Sequence, residues 1–304
     1  MRFNFLWILP FAISVTIPDA ADIPVLDGVG PREHCCAAVS KLLLTASSSP
    51  TLYTLDPTST NATVDEVYTF PNSTGLTGII EYQPDVYALV ASALNTTTRK
   101  AAPGTVAIWR VDLTSQTPAV TQVVVNPQIT LLNGLLVVPG HPDVVLAAES
   151  VIGGDASSPG EAPWPALGIN GLHVRDGALY FTNSQLTTFA RIPLRFAGGL
   201  VSQAGAAQVL GGVQPTRVYD DFAFDRAGLA WVTKHPAALT LLYPLGNGTW
   251  AEETAAGDPA GNYTVFIEPT SAAFGRGSSA EEDTLYVVTA GGQVVGVNTS
   301  GAAG

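Results

Sequence analysis

Charge is scarce in this chain. Only 12% of its 304 residues are charged, about half the ~25% of an ordinary soluble domain, so salt-bridged helices have little to work with. Three lysines and ten arginines face 25 acids, a formal charge of −12, which repels a phosphate backbone instead of releasing its counterions. Nucleic acid is thereby excluded as a partner. Cysteine is almost absent. Cys35 and Cys36 are adjacent; they close no loop of useful length and offer no metal-ligand spacing, and they read as two small packed side chains. Beyond the first twenty residues no apolar run approaches the ~20 residues of a membrane span, so none is expected.

Thirty glycines and 22 prolines, with Ala, Val, Thr and Ser prominent, give frequent turns and favour an all-β chain. The N-terminus places Arg2 before the apolar stretch Phe3 to Val15 and ends in Asp19-Ala20-Ala21, the pattern of a secretory leader. The expected organisation is a leader over residues 1–21 and one domain over 22–304. Six sequons, at Asn61, Asn72, Asn95, Asn247, Asn262 and Asn298, fit glycosylated surface loops of a secreted or secretory-pathway protein.

A unit recurs along the chain: a polar residue, a short apolar strand, a turn, and a second apolar strand. The clearest copy runs Asn170-Gly171-Leu172-His173-Val174, turns at Arg175-Asp176-Gly177, and returns as Ala178-Leu179-Tyr180-Phe181-Thr182-Asn183. Asp-Gly between two β-rich runs is a strong hairpin signal. Other copies start at Glu33, Thr77, Asn133, Asp220 and Thr270, at successive intervals of 44, 56, 37, 50 and 50 residues. Six copies at blade spacing predict a six-bladed β-propeller. The third blade is expected to be shortened, because only the Gly, Ser and Pro-rich run from Val151 to Leu167 separates it from the fourth.

Both ends of each hairpin then open on one rim. Glu33, Asn133, Asn170 and Asp220 would converge there, flanked by Thr77 and Thr270, with Glu149, Asn183, Lys234, His235 and Thr289 behind them. Carboxylate and amide oxygens in one ring are the ligand chemistry of Ca²⁺ or Mg²⁺; the alternative is that they cap strand ends and brace the channel mouth. His173, inside an apolar strand, reads as packed core, and His141 as a turn residue facing solvent. Trp109, Trp164, Trp231 and Trp250 suit either a pocket lining or packing between blades.

Glu33, Asn170 and Asp220, followed by apolar strands such as Gly171-Leu172-His173-Val174 and Phe222-Ala223-Phe224-Asp225, resemble the gluconolactonase/senescence-marker-protein propellers. The resemblance implies a divalent cation held by Glu33, Asn170 and Asp220, lactone hydrolysis assisted by Asp220, and Asn133 near the substrate. Gly168 to Leu172, Tyr180 to Asn183 and Asp220 to Asp225 are more similar to a fungal secondary-metabolism branch of this fold. Members of that branch include hetero-Diels-Alderases joining a tropolone quinone methide to a sesquiterpene.

Three functions follow as expectations. Cycloaddition needs no cofactor: two apolar small molecules are held in a reactive pose, Asn133, Asn170 or His235 donates to the quinone-methide oxygen, and Glu33 or Asp220 assists loss of water. Lactone hydrolysis uses the same rim with Ca²⁺ or Mg²⁺ and Asp220 as the base for water. A secreted propeller that only binds a ligand is the third, since this fold hosts many functions.

Overall fold

The computed structural model describes residues 20–21, 35–38, 41–59, 63–150, 168–197, 200–212, 218–246, 248–263 and 265–300. The expected leader up to residue 19, Glu33, Asn61, Trp164, Asn247 and the run 151–167 lie outside them. Among the described residues no helix is long and apolar enough to cross a membrane.

Strand β1 (Ala20–Ala21) joins the last sheet of the chain. The first sheet runs in the order β2 (Cys35–Ala38), β3 (Lys41–Ala46), β4 (Ser49–Leu55) and β5 (Val64–Thr69). The second is β6 (Gly75–Gln83), β7 (Val86–Ser92), β10 (Ala107–Asp112) and β11 (Ala119–Val125), with a small hairpin, β8 (Leu94–Asn95) and β9 (Lys100–Ala101), rising from the connection between β7 and β10. Among the described residues, strands β12 (Leu132–Val138) and β13 (His141–Glu149) pair only with each other.

Next come β14 (Ile169–Arg175), β15 (Ala178–Asn183) and β16 (Thr188–Ala197), whose outer edge takes both β17 (Leu200–Gln203) and β18 (Gln208–Gly212). The fifth position holds β19 (Tyr219–Phe224), β20 (Ala230–Lys234), β21 (Ala238–Pro244) and β22 (Trp250–Gly257). The last sheet is β23 (Pro269–Phe274), β24 (Thr284–Thr289), β25 (Val294–Asn298) and β1, with one helical turn, α1 (Ser279–Glu282), before β24.

The arrangement is an all-β propeller with five blades, not the expected six. At the third position the described residues form only the hairpin β12–β13, and the run 151–167 that follows lies outside them. Strands β2, β6, β12, β14, β19 and β23 nevertheless contact one another in sequence, so the hairpin completes the inner ring. It is stabilised from both sides: Leu136, Val138, Val144 and Ala148 pack on Ile169, Leu172 and Leu179, while Leu132, Leu135 and Val145 pack on Ala88, Val90 and Ile108. Burial against both neighbours holds the hairpin in place. Between the fourth and fifth positions Tyr180, Phe189, Phe222, Phe224 and Trp250 interlock, mostly edge to face. Trp231 is fully buried and bonds Asp225 Oδ2 through its indole N–H at 2.9 Å, so it serves packing and not a pocket.

The leading polar residues are set apart by a shared backbone device. In β6, β12, β14, β19 and β23 the pairing register slips at Thr77, Asn133, Asn170, Asp220 and Thr270 respectively. Such bulges turn one residue out of the ladder and re-aim its side chain. Threonine hydroxyls fill the gaps. Thr182 Oγ1 accepts from Gly171 N at 2.6 Å and donates to Asp220 O in the next sheet; Thr233 Oγ1 accepts from Asp221 N at 3.0 Å and reaches Thr270 O at 3.3 Å; Thr45 Oγ1 donates to Thr77 O at 2.8 Å. Thr182 and Thr233 thus each tie one inner strand to the next, and Thr45 ties β3 to the bulge of β6. Gly78 has its own requirement: a Cβ there would lie 2.0 Å from Asn133 O, so only glycine lets β6 approach β12 this closely.

Candidate active site

Bulges in β12, β14 and β19 bring three expected residues into one network. Asn133 Nδ2 donates to Asn170 Oδ1 at 2.7 Å. Asn170 Nδ2 donates in turn to Ser184 Oγ at 3.0 Å and to Asp220 Oδ1. The other Asp220 oxygen, Oδ2, lies 3.0 Å from His235 Nε2, on the residue that follows β20. Asn133 and Asn170 are 8% and 2% exposed, whereas the Asp220 and His235 side chains keep 16% and 25% of theirs. The amides form a buried floor and the carboxylate–imidazole pair its accessible top.

Hydrogen bonding fixes the roles of the ring nitrogens. With Nε2–H directed at Asp220, Nδ1 is where the neutral imidazole takes a proton and the cation gives one up. Burial pulls the His235 pKa down, but the hydrogen bond and charge of Asp220, aided by Glu268, push it up against the opposing charge of Arg99; the balance is a pKa raised above the ordinary 6.5. Arg99 comes from the turn of the β8–β9 hairpin, whose Ala101 N donates to Thr130 O at 2.8 Å, just before β12. Glu268 N donates to Pro236 O at 3.0 Å, beside His235.

The remaining expected residues go elsewhere. Thr77 and Thr270 occupy equivalent bulges, yet their hydroxyls donate to Leu132 O at 2.7 Å and Val288 O at 3.2 Å, so their protons are committed to the main chain. Glu149 accepts from Thr130 N and Oγ1, Asn183 caps a turn through Leu186 N, and Thr289 Oγ1 donates to Gln293 Oε1. Lys234 pairs with Glu252 and lies 5.2 Å from the Tyr219 ring centre. His173 is held between the fourth and fifth sheets, with Nε2 bonded to Phe222 O at 3.1 Å and its pKa lowered to about 4 by burial. His141 stacks on Phe196 at 5.7 Å. Ser184, Arg99 and Glu268 are site residues that sequence reasoning missed; all three sit on connections, where strand period assigns no direction.

Of the three ligands implied for a cation, Glu33 lies outside the described residues, and the other two, Asn170 and Asp220, are hydrogen bonded in a way that suits a cation poorly. Among the described residues no three His, Cys, Asp or Glu side chains gather. Both Asp220 oxygens face N–H donors, and the Asn170 oxygen faces a third. An imidazole biased toward its cation occupies the carboxylate oxygen that Ca²⁺ or Mg²⁺ would need.

Large apolar side chains are exposed on connections of the fourth and fifth sheets. Leu186, on the turn after β15, is 63% exposed, and Tyr263 and Ile267, on the connection that touches Pro236, are 50% and 41% exposed.

No protein-family model matches the chain, and no curated protein matches it. Solved structures do. A luciferin-regenerating enzyme aligns at TM-score 0.62 with 16% identity over 93% of this chain and 96% of its own. The PQQ-bound aldose sugar dehydrogenase of Streptomyces coelicolor aligns at 0.56 with 15% identity over 95% and 98%. An auxiliary nutrient binding protein of Bacteroides thetaiotaomicron aligns at 0.59 with 12% identity over 95% and 75%. The shared feature is the propeller. At these identities the likeness is one of fold, and the fold carries both enzymes and binding proteins.

Proposed function

We propose that this chain is a propeller enzyme that manages a proton at the oxygen function of an apolar small molecule, and that its reaction is a hetero-Diels-Alder cycloaddition between a tropolone quinone methide and a sesquiterpene polyene. The observation that carries the enzymatic reading is the Asp220–His235 pair, seated on the Asn170–Asn133 floor. The cycloaddition itself is drawn from the sequence resemblance.

Starting from a hydroxymethyl tropolone, the cationic His235 delivers its Nδ1 proton to the hydroxymethyl oxygen. The C–O bond breaks, water leaves, and the ring enol gives its proton back to Nδ1; the net change is loss of one water. Asp220 holds the tautomer and stabilises the cation, as the carboxylate does in other carboxylate–imidazole pairs. The resulting oxygen-terminated diene then adds across one alkene of the polyene, forming one C–C and one C–O bond and losing no atoms. Holding both partners beside this pair converts a bimolecular encounter into a near-unimolecular step.

A second reading, lactone hydrolysis, draws on the same pair in its neutral form, with Nδ1 as the base for water. One experiment separates them. The purified chain is incubated with a hydroxymethyl tropolone and a cyclic sesquiterpene polyene, and separately with a lactone panel, each with and without chelator. A single product enantiomer formed faster than background, lost in His235→Gln, supports cycloaddition. Racemic product at the background rate overturns it, and lactone turnover lost in the same variant installs the second reading.

A further inference from the structure

Between the β5–β6 turn and the outer strands β10 and β11, the second blade carries a hollow of about 190 Å³. Its walls include Asn72, Ser73, Thr105, Trp109, Gln122 and Val125. This space is smaller than the ~300 Å³ at which pockets for drug-sized ligands begin. An aromatic ring with the Gln122 amide beside it complements a pyranose, whose C–H face packs on the ring while its hydroxyls bond the polar edge; the Ser73 and Thr105 hydroxyls already donate to Pro71 O and Ala102 O. Trp109 is held in place, edge-on to the buried Phe70 with ring centres 5.4 Å apart. Its indole N–H is buried with no acceptor among the described residues.

The same wall contains a sequon. Asn72 is exposed at the turn between β5 and β6, with φ at 56°. Two residues on, Thr74 is anchored: its N–H donates to Ser92 O at 2.9 Å and its hydroxyl to Leu94 O at 2.7 Å. The chain leaving Asn72 is therefore fixed, and the Asn72 side chain borders the hollow.

We propose that the hollow seats the first N-acetylhexosamine ring of a glycan linked to Asn72, with the C–H face of the sugar on Trp109. The inference rests on the secretory route expected from the leader and is independent of the chemistry at the rim. Asn72 Nδ2 forms the bond to C1 of the sugar, loses one proton, and displaces the diphosphate of a glycosyl diphosphate lipid. A free saccharide would use the same surface without that bond.

The test uses the full chain secreted from a eukaryotic host. Glycopeptide mass spectrometry reads occupancy at Asn72, and melting temperature is compared among the intact glycoprotein, a form trimmed by endoglycosidase to one sugar per site, and a form stripped by amidase. The one-sugar form is expected to melt with the intact one and about 2 °C or more above the stripped one. That gap should narrow in Asn72→Gln and in Asn72→Asp, where the other sequons keep their own sugars, and should narrow less in Gln122→Ala, which spares the core around Trp109; a gap unchanged in Asn72→Gln overturns the proposal. An unoccupied Asn72, or equal melting of the one-sugar and stripped forms, overturns the proposal. In the Asn72→Gln protein, N-acetylglucosamine that shifts the Trp109 indole NMR signal at millimolar concentration reassigns the hollow to a free saccharide and likewise overturns it.

Discussion

His235 Nε2 stands 3.0 Å from Asp220 Oδ2, and the two residues come from opposite ends of one hairpin, the bulge of β19 and the residue after β20. Neither bond partner can be removed without changing the other's charge balance. In Asp220→Asn the imidazole keeps a neighbour of the same shape but loses the charge that raises its pKa. The variant should lose about 10²- to 10⁴-fold in rate, the usual range for a positioned proton donor.

The sign of the pH dependence follows from the same pair. If the cation is the working acid, activity is present below the raised His235 pKa and falls as pH rises through it. In Asp220→Asn the alkaline limb should move to lower pH. A pH–rate profile and the NMR titration of His235 should shift together; an activity that instead rises through that pKa would make the neutral imidazole the working form and favour hydrolysis.

Arg99 and Glu268 act on the same titration from outside the hairpin. The Arg99 charge lowers the His235 pKa and that of Glu268 raises it. Arg99→Gln should therefore move the alkaline limb up, and Glu268→Gln should move it down. These shifts should be smaller than that of Asp220→Asn, because neither residue hydrogen bonds the ring. Opposite movement of either variant would place that charge away from His235.

How much of this was legible in the sequence depends on backbone position. Asn133, Asn170 and Asp220 stood out because a bulge interrupts an apolar strand, leaving one polar residue at a repeating place. Thr77 and Thr270 share that place but not the outcome: a hydroxyl one bond from Cβ reaches a neighbouring carbonyl, while an amide or carboxylate projects farther. His235 was readable as the end of a returning strand. Ser184, Arg99 and Glu268 were not, because turns and connections carry no period that fixes their direction. The inner unit of the third position was equally visible, but nothing in its strand pair says that two neighbours pack on it from either side.

His173 gives a stability prediction with its own sign. Its folded pKa, about 4, lies below the ordinary 6.5, so the unfolded chain binds more protons between those values and stability falls as pH drops from about 6.5 to about 4. The cause is burial of the ring between the fourth and fifth sheets. His173→Gln, which does not titrate, should flatten that part of the pH–stability curve in urea unfolding even if its stability at neutral pH is lower. An unchanged slope would mean that another group carries the acid sensitivity.

The threonine ties predict a contrast between two equivalent substitutions. Thr182→Val keeps the shape but leaves Gly171 N and Asp220 O without their shared hydroxyl. Leaving buried backbone groups unsatisfied costs about 1–3 kcal/mol, so the melting temperature should fall by several degrees. Thr45→Val removes the same kind of tie, to Thr77 O, on the other side of the ring, and should cost comparable stability. Their effects on turnover should part: Thr182 fixes the backbone of Asp220, so its loss should lower kcat beyond any loss of folded protein, whereas Thr45→Val should leave kcat per folded molecule unchanged. Equal kcat effects in the two variants would show that the tie to Asp220 serves stability alone and that the carboxylate is positioned by Asn170 and His235 instead.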